Sequence, residues 1–178
     1  MGPPGSGKGT QARLLCDGLG WYHLATGELF REHLRRDTPL GRLAEQHMSR
    51  GEYVPDDVTV GMVRETLAGI APERRIVFDG FPRTVDQARA LDGLLRDRGR
   101  RVGHVVLIDV PREELLKRLA ARTRTDDTPQ VVSRRLEVYE TQTRPVIEHY
   151  ERAASVQKVN GIGAVPEIGQ RLREAVGG

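Results

Sequence analysis

Residues 2–10 read Gly-Pro-Pro-Gly-Ser-Gly-Lys-Gly-Thr, and this short stretch decides the fold class. Gly2, four further residues, Gly7 and Lys8 fit the pattern of a phosphate-binding loop that joins a strand to a helix. Its glycines let backbone N–H groups turn inward around an anion, the following helix directs its positive end there, and Lys8 adds a mobile charge. The stretch therefore predicts a site for the phosphates of a nucleotide. Its expected residues are Gly5, Ser6, Gly7, Lys8, Gly9 and Thr10.

The loop departs from the usual pattern at Gly9, where a Ser or Thr hydroxyl normally contacts Mg²⁺. Thr10 follows one place later. A magnesium ion that accompanies the nucleotide must therefore find another ligand, and Asp79 directly follows the apolar run 76–78. The alternative for this residue is a capping or turn aspartate. Because Mg²⁺ keeps several of its waters, we expect Asp79 to hold the ion through water.

Short apolar runs typical of β-strands alternate with longer helical patterns along the chain. The runs are residues 23–25, 76–78, 105–108 and 156–159. Between them, residues 85–95 have helical periodicity and end near Gly99, while Thr128-Pro129 has the form of a cap followed by a first-turn proline. Continuous apolar strands separated by helices predict an α/β protein with a buried parallel sheet, in the three-layer arrangement of phosphate-loop nucleotide-binding proteins. Ligands bind such sheets at the carboxyl ends of the strands.

Composition indicates one folded domain, residues 1–178, with 38% hydrophobic and 30% charged residues. No apolar run approaches the roughly 18 residues that a membrane span needs, and no basic-then-apolar leader opens the chain. We therefore expect a cytoplasmic protein with no membrane partner. The single cysteine, Cys16, excludes an internal disulfide and a multi-cysteine zinc site. The net charge is only +3, and the arginines are mixed with acids, which argues against a nucleic-acid partner.

Four motifs occur in an order and with a spacing similar to those of adenylate kinases, and the chain resembles that family over nearly its whole length. The motifs are residues 2–10, Thr26-Gly27-Glu28-Leu29-Phe30-Arg31, Asp79-Gly80-Phe81-Pro82-Arg83 and Arg124-Thr125-Asp126-Asp127. The second and third are much more specific than the phosphate loop. The resemblance implies a monomeric enzyme that reversibly transfers the terminal phosphate of MgATP to AMP and gives two ADP. A kinase for UMP or CMP is one alternative, and an inactive nucleotide-binding protein is another.

The resemblance also implies an AMP-binding segment, residues 25–54. Arg31 and Arg83 are expected to grip the phosphate of AMP, while Thr26 and Gln87 lie near its adenine. The other implied residues of this pocket are Glu52, Tyr53, Val54, Gly80, Phe81 and Pro82. Two arginines suit a dianionic phosphate, and a carboxamide can both donate to and accept from a base edge. Related UMP/CMP kinases typically carry alanine at the position of Thr26, so AMP is the favoured acceptor.

Further arginines match those that surround the transferred phosphate in the family. They are Arg118, Arg122, Arg124 and Arg135, of which the last three are expected to act in catalysis with Lys8 and Arg83. Residues 121–128 are too short for the longer lid of some relatives and resemble the short-lid type, with Asp126 and Asp127 as lid acids. The alternative is a plain loop between helices with solvated charges. Arg118 is expected to cover the donor adenine, and the backbone around Gly163 is expected to lie along the edge of that base.

One part of the pattern is missing at the amino terminus. A phosphate loop should follow a buried strand, and in adenylate kinases that strand is the centre of a sheet ordered 2-3-1-4-5. Only Met1 precedes Gly2, so a strand of roughly five residues is absent. We expect a misplaced start or a truncated chain, with unpaired groups on both neighbouring strands and a void in the core. Much reduced stability and weak ATP binding are the predicted consequences.

Overall fold

A computed structural model of the chain describes residues 1–121, 128–152 and 154–177. The helices in these ranges are α1 Lys8–Leu19, α2 Thr26–Arg35, α3 Pro39–Met48, α4 Asp56–Ala68, α5 Val85–Arg96, α6 Arg112–Ala120, α7 Pro129–Val138, α8 Arg144–Glu151 and α9 Val165–Ala175. The strands are β1 Tyr22–Ala25, β2 Ile76–Asp79, β3 His104–Asp109 and β4 Ser155–Asn160. A π-helical segment, Tyr139–Thr143, joins α7 to α8. Each strand contains one of the apolar runs, so the predicted alternation of strands and helices is confirmed.

Local side-chain chemistry sets the ends of the predicted helices. The Thr84 hydroxyl accepts from the backbone N–H of Gln87 and caps α5. Thr128 caps α7 in the same way, and Pro129 occupies the first helical position, where no N–H is needed. Beyond α5, Gly99 adopts a left-handed φ of 65°, which a residue without Cβ accepts at little cost. Both helices therefore begin where the sequence predicts.

The strands are parallel, as predicted, but they form two separate two-stranded sheets. β1 pairs with β2, with Leu24 opposite Phe78, and β3 pairs with β4, with Leu107 opposite Lys158. Within the described ranges no strand joins β2 to β3. The three-layer α/β arrangement is therefore present with its sheet divided into two halves.

The facing edges of β2 and β3 enclose the predicted void. A cavity of about 1160 Å³ runs from the phosphate loop into this gap, where residues 76–78 line one side and Val105, Val106 and Ile108 the other. Met1 alone occupies the edge of β3. Its carbonyl accepts from Ile108 N, and its terminal nitrogen donates to Val106 O. Met1 thus makes two of the backbone hydrogen bonds that a whole strand could make along this edge.

Helices hold the two half-sheets together. On one face, α1 contacts β1, β2 and α9, and α9 contacts β4. On the other face, Leu91 and Leu95 of α5 pack with Leu24 of β1, whereas Ala88 packs with Val105 of β3. Because one helix contributes to both hydrophobic clusters, the carboxyl ends of the strands stay on a common edge. Among the helices of the described ranges, none has the length and apolar character that crossing a bilayer requires.

Candidate active site

The phosphate loop lies at the amino end of α1. Residues 3–6 form a turn in which Ser6 N donates to Pro3 O at 3.1 Å, and Gly5 and Gly7 adopt left-handed φ values of 87° and 86°. No side chain caps the start of α1, so its first-turn N–H groups can meet an anion. Lys8 Nζ donates to Pro3 O at 3.3 Å across the loop. The loop therefore has the geometry of an anion site with a lysine folded over it.

Gly5 also explains how the loop packs against α6. A Cβ at this position would come within 2.9 Å of Leu119 Cγ and 3.1 Å of Leu115 O. Glycine is required here both for this approach and for the left-handed φ. The Ser6 side chain is buried at 1% exposure and does not line the cavity, so its predicted contact with the nucleotide would have to come from its backbone.

Asp79 stands at the carboxyl end of β2, next to the phosphate loop. Burial works against its ionisation, but the hydrogen bond from His23 Nε2 at 3.4 Å and the charges of Lys8 and Arg83 outweigh it and hold the pKa of Asp79 below its usual value. A Cβ on Gly9 would lie 3.2 Å from Asp79 Oδ2. The missing side chain thus leaves room beside an ionised carboxylate.

This arrangement fits a magnesium ion that is held largely through water. In the described part of the chain, no cluster of three His, Cys, Asp or Glu side chains forms a ready-made metal site. Mg²⁺ does not need one, because it is commonly bound through one or two carboxylates together with waters and nucleotide phosphates. Asp79 is the carboxylate available for that role beside the loop.

The second half of the site lies at the paired carboxyl ends of β1 and β2. Ala25 lies opposite Asp79, so the residues that follow them, Thr26 and Gly80, share one edge. Gly80 O accepts from Thr26 Oγ1 at 2.9 Å and from Arg83 Nε at 2.6 Å. A Cβ on Gly80 would come within 2.8 Å of the Arg83 guanidinium, and its φ is 73°. Glycine at this position therefore allows both contacts.

Three contacts fix Arg83. Its guanidinium carbon lies 4.8 Å from the centre of the Tyr53 ring, a cation–π arrangement. Its Nε bonds to Gly80 O, and its carbonyl accepts from Thr143 Oγ1 at 2.9 Å. Since the Thr143 hydroxyl donates there, Tyr53 must be the donor in the 2.8 Å bond between the two hydroxyls. The guanidinium is thus held in place through its face and its Nε, while the backbone of Arg83 is tied to Thr143.

Gln87 lies one helical turn beyond Arg83 and is 1% exposed. Its Oε1 accepts from Arg83 N at 2.8 Å, and its Nε2 donates to Asp56 Oδ1 at 2.7 Å. Gln87 also lines the cavity, so its amide is at the site and is bonded to protein at both ends. One N–H and one lone pair remain for a ligand.

The remaining predicted residues lie on three elements around the same cavity. Arg31 lies over Gly27 on α2, where a glycine Cβ would be 3.3 Å from its Nη1. Arg135 of α7 reaches Met48 O at 3.4 Å, and it packs against Gly51, at the start of the loop that carries Glu52, Tyr53 and Val54. The carboxyl-terminal segment of the proposed AMP-binding region thus contacts α7.

Arg118 reaches the loop after β4. It bonds to Glu114 on its own helix at 2.8 Å and donates to Gly161 O at 3.0 Å, which brings together two of the elements predicted around the donor base. Gly163 itself does not line the cavity. Arg122, Arg124, Asp126 and Asp127 lie outside the described residues.

One cavity brings together nearly all predicted site residues that the structure describes. Those lining it are Gly5, Gly7, Lys8, Gly9, Thr10, Thr26, Arg31, Glu52, Tyr53, Val54, Asp79, Gly80, Phe81, Pro82, Arg83, Gln87, Arg118 and Arg135. Two residues of the site were not predicted from the sequence: Asp56, which contacts Gln87, and Thr143, which contacts Arg83 and Tyr53. Asp56 follows Pro55 and looks like an ordinary first-turn helix acid, and Thr143 lies in a π-helical segment that no periodicity indicates.

The chain matches the family model described as adenylate kinase over residues 1–155. It is 46% identical to an adenylate kinase of Thermus thermophilus, with 99% of this chain and 95% of that protein aligned. The adenylate kinases of Nocardia farcinica and Micrococcus luteus are 43% and 42% identical, with 99% of this chain and 97% and 88% of those proteins aligned. These matches extend across the phosphate loop and the Asp79–Gln87 region described above. The chain belongs to the adenylate kinase family.

Proposed function

We propose that the chain catalyses reversible transfer of the terminal phosphate of MgATP to AMP, which yields two ADP. The observation that carries the proposal is that the phosphate loop, Asp79 and Arg83 line one cavity at the carboxyl ends of the strands. A donor triphosphate at the loop and an acceptor phosphate at Arg83 would face each other there. Family membership supports the same reaction.

On the donor side, the first-turn N–H groups of α1 and Lys8 bind the phosphates of ATP. Asp79 is the residue that would hold Mg²⁺, through water. The ion supplies positive charge that neutralises the oxygens of the phosphoryl group during transfer. Arg118 and the loop around Gly163 bind the donor base, with the guanidinium positioned by Gly161 O.

On the acceptor side, Arg31 and Arg83 bind the phosphate of AMP. Its oxygens are already ionised, so no side chain needs to remove a proton before attack. Transfer then depends on alignment and on neutralising charge, which are roles for Arg122, Arg124 and Arg135 together with Lys8. Thr26 and the free positions of the Gln87 amide contact the adenine.

Water must be excluded, because it would otherwise accept the phosphoryl group in place of AMP. We assign this role to closure of the short lid, residues 121–128, and of the AMP-binding segment, residues 25–54. Their opening is a step that can limit turnover. The protein acts as a monomer in the cytoplasm on these two small-molecule substrates.

A coupled assay of ADP formation with AMP, UMP, CMP and GMP tests the proposal. AMP is the expected acceptor, and Arg83→Ala should lower its kcat/KM by about 100-fold, the range that loss of a charge-assisted bond of up to 3 kcal/mol gives. Arg89→Ala is the matched control, because Arg89 lies six residues further on, on α5, but is exposed and paired only to Asp86 in the contacts described. A clear preference for UMP or CMP would contradict the proposal. So would binding of a bisubstrate dinucleotide without ADP formation.

A further inference from the structure

The side-chain amide of Gln87 is held in one orientation. Its Nε2 donates to Asp56 Oδ1 and its Oε1 accepts from Arg83 N. A carboxylate can only accept, and a backbone N–H can only donate. Turning the amide over would therefore set oxygen against oxygen at one end and N–H against N–H at the other.

The second carboxylate oxygen of Asp56 is also hydrogen-bonded within the protein. Oδ2 accepts from Thr84 Oγ1 at 2.6 Å, and Thr84 Oγ1 in turn accepts from Gln87 N at 3.1 Å. Asp56 begins α4 and Thr84 caps α5, so the bonds form a closed ring between the starts of two helices. Neither oxygen of Asp56 can leave without breaking this ring.

The fixed amide presents a fixed pattern to the cavity. One donor N–H and one acceptor lone pair remain on Gln87, in an order that the bonds to Asp56 and from Arg83 N decide together. A 6-aminopurine edge offers an acceptor at N1 and a donor at N6. A 6-oxopurine offers the reverse, a donor at N1 and an acceptor at O6. A base held at one place can therefore satisfy the amide in only one of the two cases.

We propose that Asp56 is a positioning residue that sets the preference of the acceptor site for a 6-aminopurine over a 6-oxopurine. It does not contact the base and acts through the orientation of Gln87. This inference rests on the proposed function, in which Gln87 faces the acceptor base. A site whose buried polar groups are left unpaired by the wrong substrate discriminates strongly against it.

The test compares kcat/KM for AMP and IMP, since the two nucleotides differ only at position 6 and in the proton on N1. In Asp56→Asn the new amide can donate or accept, so of the two bonds that fix the orientation of Gln87 only the one from Arg83 N remains. We expect the AMP-to-IMP ratio to fall by about tenfold, the factor carried by one hydrogen bond to a charged group. Asp57→Asn makes the same charge change at the next, exposed residue and should leave the ratio as in the wild type.

The outcomes separate the inference from the proposed function. If the wild type forms ADP from AMP and Asp56→Asn lowers kcat/KM equally for AMP and IMP, Asp56 is merely structural. The inference is then overturned while the function stands. If the wild type forms no ADP from AMP, both are overturned.

A second pair of variants covers the case in which Asp56→Asn does not fold. Thr84→Val removes the hydroxyl that anchors Asp56, and Thr84→Ser keeps it. A lower AMP-to-IMP ratio in the valine variant alone supports the inference. Equal ratios in the two variants overturn it.

Discussion

A chain that begins at Met1 is expected to lose stability as the pH falls from 8 to 5. The terminal nitrogen of Met1 lies buried against β3, and burial, reinforced by the charge of Lys8, lowers its pKa from 8.0 to about 5. The unfolded chain keeps the higher pKa and binds the proton more tightly. The unfolded state therefore takes up a proton across this interval, and the free energy of unfolding rises with pH.

The size of the effect follows from the shift. A shift of three pKa units lowers the free energy of unfolding by about 4 kcal/mol at pH 5 relative to high pH. At pH 7 the loss is about 1 kcal/mol. This is a large part of the 5–15 kcal/mol that typically stabilises a domain. The other shifted groups titrate outside the interval, since the pKa of Asp79 is lowered from 3.8 and those of Cys16, Tyr139 and Tyr150 are raised above 9.

Urea denaturation at pH 5, 7 and 8.5 measures the effect in three proteins. One begins at Met1, and the others carry about five added residues before it, either Gly and Ser or β-branched apolar residues. Both extensions replace the ammonium by an amide, so both should abolish the pH dependence between 5 and 8. Only the apolar extension can pair with the open edges of β2 and β3, so it alone should also raise stability at pH 8.5. Equal pH dependence in all three proteins would show that the amino group of Met1 does not cause it.

Two further substitutions probe the candidate site. Tyr53→Phe keeps the ring over the arginine but removes the hydroxyl that donates to Thr143, so the KM for AMP should rise about fivefold in initial-rate assays; an unchanged KM would mean that the bond does not position the acceptor site. Gly9→Ala would place a Cβ 3.2 Å from Asp79 Oδ2, so the Mg²⁺ concentration for half-maximal rate should rise several-fold while the melting temperature does not fall. Gly61→Ala is its control, because a Cβ there meets nothing within 4 Å; an equal Mg²⁺ response in the two variants would argue against Asp79 as the metal residue.

Much of the fold could be predicted because its signals are local. Apolar runs mark the four strands of the described ranges, and Thr128-Pro129 marks the start of α7 through capping chemistry within three residues. The divided sheet was also predictable, since only Met1 precedes the phosphate loop. The π-helical segment Tyr139–Thr143 was not, because its register shift leaves no periodic signal.

The candidate site was predictable in its residues more than in its bonds. Gln87 lines the cavity as expected from the motif order, but its bond to Asp56 joins residues 31 positions apart that meet only when α4 and α5 pack. The same holds for Tyr53 and Thr143, 90 positions apart. Each looks ordinary in its own stretch of sequence. Such contacts depend on the tertiary fold, which local patterns do not encode.

The most direct test of the proposed reaction follows the phosphoryl group itself. The wild-type protein is incubated with MgATP labelled at the terminal phosphate and with unlabelled AMP, and the products are separated and counted. We expect label in the terminal position of newly formed ADP, two ADP for each AMP consumed, and no AMP-independent release of inorganic phosphate. Label recovered in inorganic phosphate, or no ADP formation that depends on AMP, would show that this cavity does not transfer a phosphoryl group from ATP to AMP.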